Sequence, residues 1–509
     1  MEGKERENLK KTEIKEYSVP FFSALLFGLA AHTYAFTNKL MNADEVDSLF
    51  GKGATITSGR WGLELVRFIL PNRSMPWLYG VIALLLFSLS ACLTIRMFAV
   101  KGKLLRILLA GMVSVFPSLT GTFCFMFTSS AYALSFLFTV LSVAVFYKKN
   151  GVWRWAVSIL LLTAALGIYQ SYIALAAGLF VLCVFKACLD GENSFQNLLK
   201  AAAGYLSVLL LSVGLYFAVT LLILKLTGSE FNFYVQQNVY ADENAVSIPG
   251  RIRMAYDFFT YYFTYREFAL ITSEVSRYAH IVLLGVCGIL LVFSAVKLLR
   301  EKKIFASLGL VASVLILPLA INCLFLVFSK ESVHTLALYS FICIYILTAM
   351  LMEKTLAGGE RMKKLGRDAV YVCLMLAIAS NVYFANKVYL KLHLQYENAY
   401  SFYSILLSRV ENTEGFDESC SLAMIGDQDN KMRRFDEIDI GYVQGPSWDL
   451  VNIYSREKFF KYYLGCSIPF ASNEEKEKLK EDERFLEMAE YPYDGSIKKI
   501  DSFMVVKLG

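Results

Sequence analysis

The stretch from Ile107 to Phe146, ILLAGMVSVFPSLTGTFCFMFTSSAYALSFLFTVLSVAVF, runs for 40 residues without an Asp, Glu, Lys or Arg. An α-helix rises about 1.5 Å per residue, so about 20 apolar residues cross a hydrocarbon core ~30 Å thick. The stretch is long enough for two crossings, and Pro117, Thr120 and Gly121 predict a break between two helices joined by a tight turn. Working outward, charge-free windows recur at Tyr17–Asn38, Ser74–Ile95, Trp155–Phe185, Ala201–Leu224, Tyr278–Val296, Ile304–Ser329, Val333–Met352 and Ala369–Asn386. Trp155–Phe185 is also too long for one helix. It carries the polar knot Tyr169-Gln170-Ser171-Tyr172 at its middle and basic residues at both flanks, which predicts a hairpin of two short or tilted helices. The expected architecture is a polytopic α-helical membrane protein of about eleven spans.

Composition agrees. Of 509 residues 56% are hydrophobic and 18% charged, whereas a soluble chain carries about a quarter charged residues. The net charge of +6 contains no basic run dense enough to track a phosphate backbone, so no nucleic-acid partner is expected. The cations instead gather on one side of the spans. The loops at 96–106, 148–154, 186–200, 297–303 and 354–367 hold 18 Lys and Arg, against Lys330 alone in the short loops opposite. This bias puts the N-terminus in the cytoplasm and, with eleven spans, the C-terminus outside. The first apolar run, 22 residues long, reads as an uncleaved span.

Function is then expected in three large outer segments: loop 39–73, loop 227–277 and the tail from Lys387 to Gly509. Loop 39–73 opens with Asp44, Glu45 and Asp47 just past the first span. An inverting sugar transfer needs one such carboxylate to take the proton of the attacking acceptor hydroxyl; a solvated helix end is the alternative role. Farther on, Arg60, Glu64 and Arg67 share one face at helical spacing, with Trp61, Leu65, Phe68 and Ile69 on the other. This predicts an amphipathic helix on the outer leaflet. Its arginines can anchor it to headgroups or hold the phosphate of a lipid-linked donor by bidentate hydrogen bonds. In loop 227–277, Phe258, Phe259, Tyr261, Tyr262, Phe263, Tyr265 and Phe268 lie among Arg251, Arg253 and Arg266. An interfacial aromatic belt is the default reading, and a shelf for an isoprenoid or a sugar face the sharper one.

The tail divides into strand Ser421–Gly426, helices Asn452–Leu464 and Asn473–Glu490, and strand Phe503–Leu508, a small extracytoplasmic α/β domain at 387–509 after a transmembrane domain at 1–386. No nucleophile elbow, phosphate-binding glycine loop or zinc motif occurs in it, which favours recognition or packing. Of ten cysteines only Cys420 and Cys466 belong to the tail, where an oxidising exterior permits a disulfide. His32, His280, His334 and His393 are scattered, no cluster has metal-ligand spacing, and no metal or cofactor is expected.

The pair Asp44-Glu45 after the first span, the Gly-Arg helix Gly59–Leu65, the Tyr-Gln-Ser-Tyr turn at 169–172 and the ending Val-Val-Lys-Leu-Gly come in this order on the eleven-span layout. Together they resemble the GtrII-type glucosyltransferase family over essentially the whole chain. That family is similar to the wider GT-C class, polytopic enzymes that move a sugar from a polyprenyl-phosphate carrier to a glycan outside the cytoplasm. The resemblance implies a bacterial plasma-membrane enzyme whose donor is undecaprenyl-phosphate glucose or a related hexose. It matches Asp44 and Glu45 to the family's acidic pair and leaves open which is the base, since the family more often has two aspartates. The candidate substrate-binding residues are Arg60, Arg67, Tyr169, Gln170, Tyr172, Lys330 and His334. The short inner loops, without an Asp-x-Asp motif, favour a lipid-linked donor over a nucleotide sugar. Rival readings are a flippase of lipid-linked saccharide, disfavoured by the lack of charges inside the spans, and a polysaccharide polymerase.

Overall fold

The computed structural model describes residues 2–50, 55–71, 73–148, 151–232, 246–264, 271–328, 333–356, 360–426, 435–447, 449–452 and 454–508. Its helices are α1 Glu2–Thr37, α2 Ala43–Ser48, α3 Trp61–Arg67, α4 Pro76–Met97, α5 Lys103–Val115, α6 Pro117–Phe123, α7 Met126–Lys148, α8 Trp153–Ile168, α9 Tyr172–Leu189 and α10 Phe195–Thr227. There follow α11 Ile248–Thr264, α12 Glu274–Arg300, α13 Ile304–Ile321, α14 Ile342–Thr355, α15 Arg361–Glu411, α16 Arg456–Tyr463, α17 Asn473–Lys480 and α18 Glu483–Leu486. Three strands, β1 Ser421–Ile425, β2 Ile497–Ile500 and β3 Phe503–Lys507, complete the chain. The residues divide into two compact units, one of Met1–Lys39, Ala54–Lys387 and Ile440–Gln444, the other of Leu40–Gly53, Val388–Asp439 and Gly445–Gly509.

The first unit is the helical bundle. Among the described residues nine helices are long and apolar enough to cross a membrane. Two of the eleven expected spans are shorter than a crossing: α8 has 16 residues, and Val333–Met352 is replaced by two 3-10 turns followed by the 14 residues of α14. The bundle's outer surface carries large apolar side chains. Leu206, Leu210, Phe217 and Leu221 on α10 and Ile281, Ile289, Val292 and Phe293 on α12 are exposed, as a hydrocarbon solvent requires. Many hydroxyls inside bond locally or across helix pairs. Thr94 donates to the Ser90 carbonyl at 2.8 Å, Ser135 to the Ala165 carbonyl at 2.8 Å, and Ser142 and Ser158 bond each other at 2.9 Å.

Three local expectations change in this unit. The turn expected at Pro117–Gly121 lies later, at Cys124–Phe125, because Pro117 takes the first position of α6 and needs only an extended Phe116 before it (φ −60°, ψ 138°). The aromatic loop packs inward at several of its rings. Helix α11 buries Phe258, Tyr262 and Phe263, stacking Tyr262 on Phe341 at 4.1 Å and setting Phe258 against Phe325 at 4.8 Å. Arg251 donates to the Leu326 carbonyl at 2.8 Å and Asn322 to the Ala255 carbonyl at 3.0 Å, so polar bonds fix the same helix. Tyr265, Arg266 and Phe268 lie outside the described residues. Third, α3 does not simply float: Gly62 and Leu63 are buried while Leu65, Phe68 and Ile69 remain exposed.

The second unit is a three-stranded sheet of order β1-β3-β2, with β1 parallel and β2 antiparallel to β3. Side chains alternate across a strand, and here both faces are covered. Leu422, Met424, Met504 and Val506 join Tyr403 and Leu406 of α15 and Phe459 and Phe460 of α16 on one side. Ala423, Ile425 and Val505 meet Leu479, Phe485 and Met488 on the other. The first of these cores also takes in Met41 and Val46, so the opening of loop 39–73 is part of this unit. The expected helix Asn473–Glu490 is two helices, because the Asp482 carboxylate accepts the Arg484 amide at 2.8 Å and starts α18 afresh. The helix expected from Asn452 begins at Arg456. Cys420 and Cys466 are free thiols.

Candidate functional site

In the bundle, the Ser58-Gly59-Arg60 turn meets the polar knot. Helix α8 stops at Ile168 and α9 starts at Tyr172, so Tyr169, Gln170 and Ser171 form the break the sequence predicts and Tyr172 opens the next helix. The Gln170 amide donates to the Ser58 carbonyl at 2.9 Å and to the Tyr216 hydroxyl at 3.0 Å; Tyr216, on α10, donates to the Gly59 carbonyl at 3.1 Å. Gly59 sits at φ 72°, and a Cβ there would fall 2.5 Å from that hydroxyl, so both conformation and space demand glycine. The turn delivers Arg60 to an aromatic wall. Its Nη1 donates to the Tyr132 hydroxyl at 3.2 Å and its guanidinium lies 5.6 Å from the Tyr169 ring centre, with the Tyr132 and Tyr169 rings stacked at 4.4 Å. A planar cation on a ring face is oriented as well as attracted. Beyond it, a Cβ on Gly62 would lie 2.8 Å from the Gly167 carbonyl carbon, and one on Gly167 would lie 2.5 Å from the Trp61 ring. Helices α3 and α8 therefore touch backbone to backbone.

The structure thus brings Arg60, Tyr169 and Gln170 together, with Tyr172 packed against Tyr169, and places the other candidates elsewhere. Arg67 is ion-paired with Glu64, which also accepts from Thr55. Tyr172 is buried, edge-on to Phe136 and Tyr169. His334 is half-buried with its ring 5.9 Å from that of Tyr442, and Lys330 lies outside the described residues. Tyr132 and Tyr216 are contributors that the sequence does not single out, since each is one of two tyrosines in a long apolar helix.

The acidic residues belong to the second unit and form the helix α2. Asn42 caps it, accepting the Glu45 amide at 3.1 Å. The three carboxylates then differ in environment. Glu45 is buried, near enough to Tyr463 that, after burial, its charge raises the phenol's pKa. Asp47 is held by Lys458, whose ammonium donates to Oδ1 at 2.6 Å and to the backbone carbonyl at 2.8 Å. Asp44 is half-buried and accepts the Tyr454 hydroxyl on Oδ1 at 3.1 Å. Burial first, and the Asp44 charge second, push the Tyr454 phenol up to about 12, so it stays protonated and donates. Among the described residues no group of three His, Cys, Asp or Glu could hold a metal ion.

The family model described as Glucosyl transferase GtrII matches residues 33–347. The chain belongs to the GtrII glucosyl transferase family. No curated protein and no solved structure matches it. The matched segment contains the acidic helix, the Arg60 turn and the polar knot of this GtrII protein, and stops short of Tyr454 and Lys458. Membership supports a glycosyltransferase in a membrane, and glucosyl transfer as its activity.

Proposed function

We propose that this GtrII protein transfers a hexose, glucose in the family's terms, from a polyprenyl-phosphate carrier such as undecaprenyl phosphate to a glycan on the outer side of a bacterial plasma membrane, with the N-terminus cytoplasmic and the tail extracytoplasmic. Family membership supports the sugar, and the apolar bundle with its short charged loops supports a donor dissolved in the bilayer. In the proposed step the acceptor hydroxyl oxygen bonds to the anomeric carbon as the carbon–oxygen bond to phosphate breaks. The polyprenyl phosphate leaves with that electron pair, the hydroxyl proton passes to a carboxylate, and the configuration inverts.

Asp44 is that carboxylate. The observation that carries the choice is the division of labour on α2: Asp47 is neutralised by Lys458 and Glu45 is buried, while Asp44 keeps partial exposure and one oriented oxygen. Glu45 then supports the helix from within. Arg60, fixed against Tyr132 and Tyr169, is assigned the donor phosphate, for which a guanidinium provides parallel N–H donors. A positioned base contributes about 10²- to 10⁴-fold, so Asp44→Asn should lower turnover by that order while donor binding persists. Purified protein in liposomes with radiolabelled polyprenyl-phosphate glucose and glycan acceptors provides the assay. Transfer by Asp44→Asn at the wild-type rate would remove Asp44 from the chemistry, and loss in Glu45→Gln with donor binding intact would move the role to Glu45.

A further inference from the structure

We infer that Tyr454 is a positioning residue for the base, so that the part of the chain beyond the family-matched segment completes the catalytic apparatus. The inference rests on Asp44 being the base.

Two pairs of side chains face each other. On α2, Asp44 and Asp47 are three residues apart, about one helical turn. Opposite them, Tyr454 and Lys458 are four apart, at the entry to α16 and within it. The rungs Tyr454–Asp44 at 3.1 Å and Lys458–Asp47 at 2.6 Å tie the two elements at two points, and Phe50 meets Tyr462 edge-to-face at 4.7 Å one turn farther on. Two points fix the rotation of α2 about its own axis, which one would not.

Tyr454 is itself presented by a built turn. Its amide and that of Ser455 both donate to the Asn452 side-chain oxygen at 3.2 Å, and the Ser455 hydroxyl donates to the Leu450 carbonyl at 2.9 Å while accepting the Asn452 amide at 2.9 Å. An ionised carboxylate only accepts, so the phenol must be the donor. Such a bond fixes the plane of the carboxylate and favours its charged form. Asp44 has Glu45 and Asp47 on its own helix and Tyr454 opposite, with Lys458 against Asp47 and Tyr463 against Glu45.

The sign of the pH effect follows. A donated hydrogen bond favours the ionised carboxylate, and Tyr454→Phe, which keeps the ring and removes the hydroxyl, takes that preference away. Because activity needs the ionised base, the acidic limb of the kcat/KM profile should move to higher pH. The maximal rate should fall about tenfold, the effect of a hydrogen bond to a charged group at the low end of its range, with KM for the lipid donor unchanged. A purely structural role would change stability and leave the limb where it is. Tyr462→Phe, which loses a neighbouring hydroxyl, is the control and should match wild type. The full-length protein in liposomes is assayed across pH, with Asp44→Asn alongside. An inactive Asp44→Asn beside a Tyr454→Phe of wild-type rate and profile overturns the inference and leaves the base in place. A wild-type rate for Asp44→Asn overturns both.

Discussion

The Ser58–Arg60 turn and the helix Ala43–Ser48 begin fewer than 20 residues apart in sequence, yet they are held in opposite ways. The turn is bound through backbone carbonyls: Gln170 and Tyr216 read the Ser58 and Gly59 oxygens, and Gly62 meets Gly167 at the next turn of chain. The helix is bound through its own carboxylates, to a tyrosine and a lysine some 410 positions away. A main-chain grip depends on glycine and shape, and tolerates change in the side chain it presents. A side-chain grip engages the very groups that could do chemistry, and it leaves the three carboxylates in three different environments.

That contrast can be broken by substitution. Of three substitutions that test the two grips, Arg60→Ala should have the largest effect. Arg60→Ala leaves Gln170, Tyr216 and the carbonyls untouched, so the fold should persist while the donor loses a charged hydrogen-bonding partner, for about 1.5–3 kcal/mol. Measured as the KM for polyprenyl-phosphate glucose, this is a rise of roughly 10- to 100-fold, and an unchanged KM would leave Arg60 a structural residue. Next comes Gly167→Ala. Its methyl would collide with the Trp61 ring, whose Nε1 donates to Thr220 at 3.2 Å, and overpacking of this kind costs about 1–3 kcal/mol. A lower unfolding temperature in detergent, with Arg60 function lost although Arg60 is intact, is the expected result. The smallest effect is Lys458→Ala. The ion pair with Asp47 has side chains 38% and 32% exposed, so its loss should cost only about 1 kcal/mol, read as faster proteolysis of the tail.

The same contrast explains what could be read from the sequence. Charge-free windows announce helices because hydrocarbon admits little else, and the Tyr169–Tyr172 knot announces a break because four polar groups in an apolar run must find partners. The docking of α11 was harder to see, since Phe258 and Tyr262 look alike whether they face headgroups or Phe325 and Phe341. In the tail, β2 is hidden in the sequence for a reason of geometry. Ile497 and Ile500 lie three apart with Lys498 and Lys499 between them, a helical spacing, but each serves a different face of a sheet covered on both sides. As for the acidic helix, its six residues lie below any periodicity, and nothing near Asp44 in sequence points to Tyr454. Three equivalent acids became distinguishable only through their tertiary partners.

Because β3 lies between β1 and β2 and the same core encloses Met41 and Val46, the order of synthesis matters. Residues 40–53 leave the ribosome early, yet the sheet that receives them cannot close until Phe503–Lys507 has been made. Throughout translation of the intervening spans the acidic segment waits without its tyrosine or its lysine. The nascent chain therefore carries an unsupported acidic helix, and a product cut short before Tyr454 would lack the side chains that hold Asp44 and Asp47.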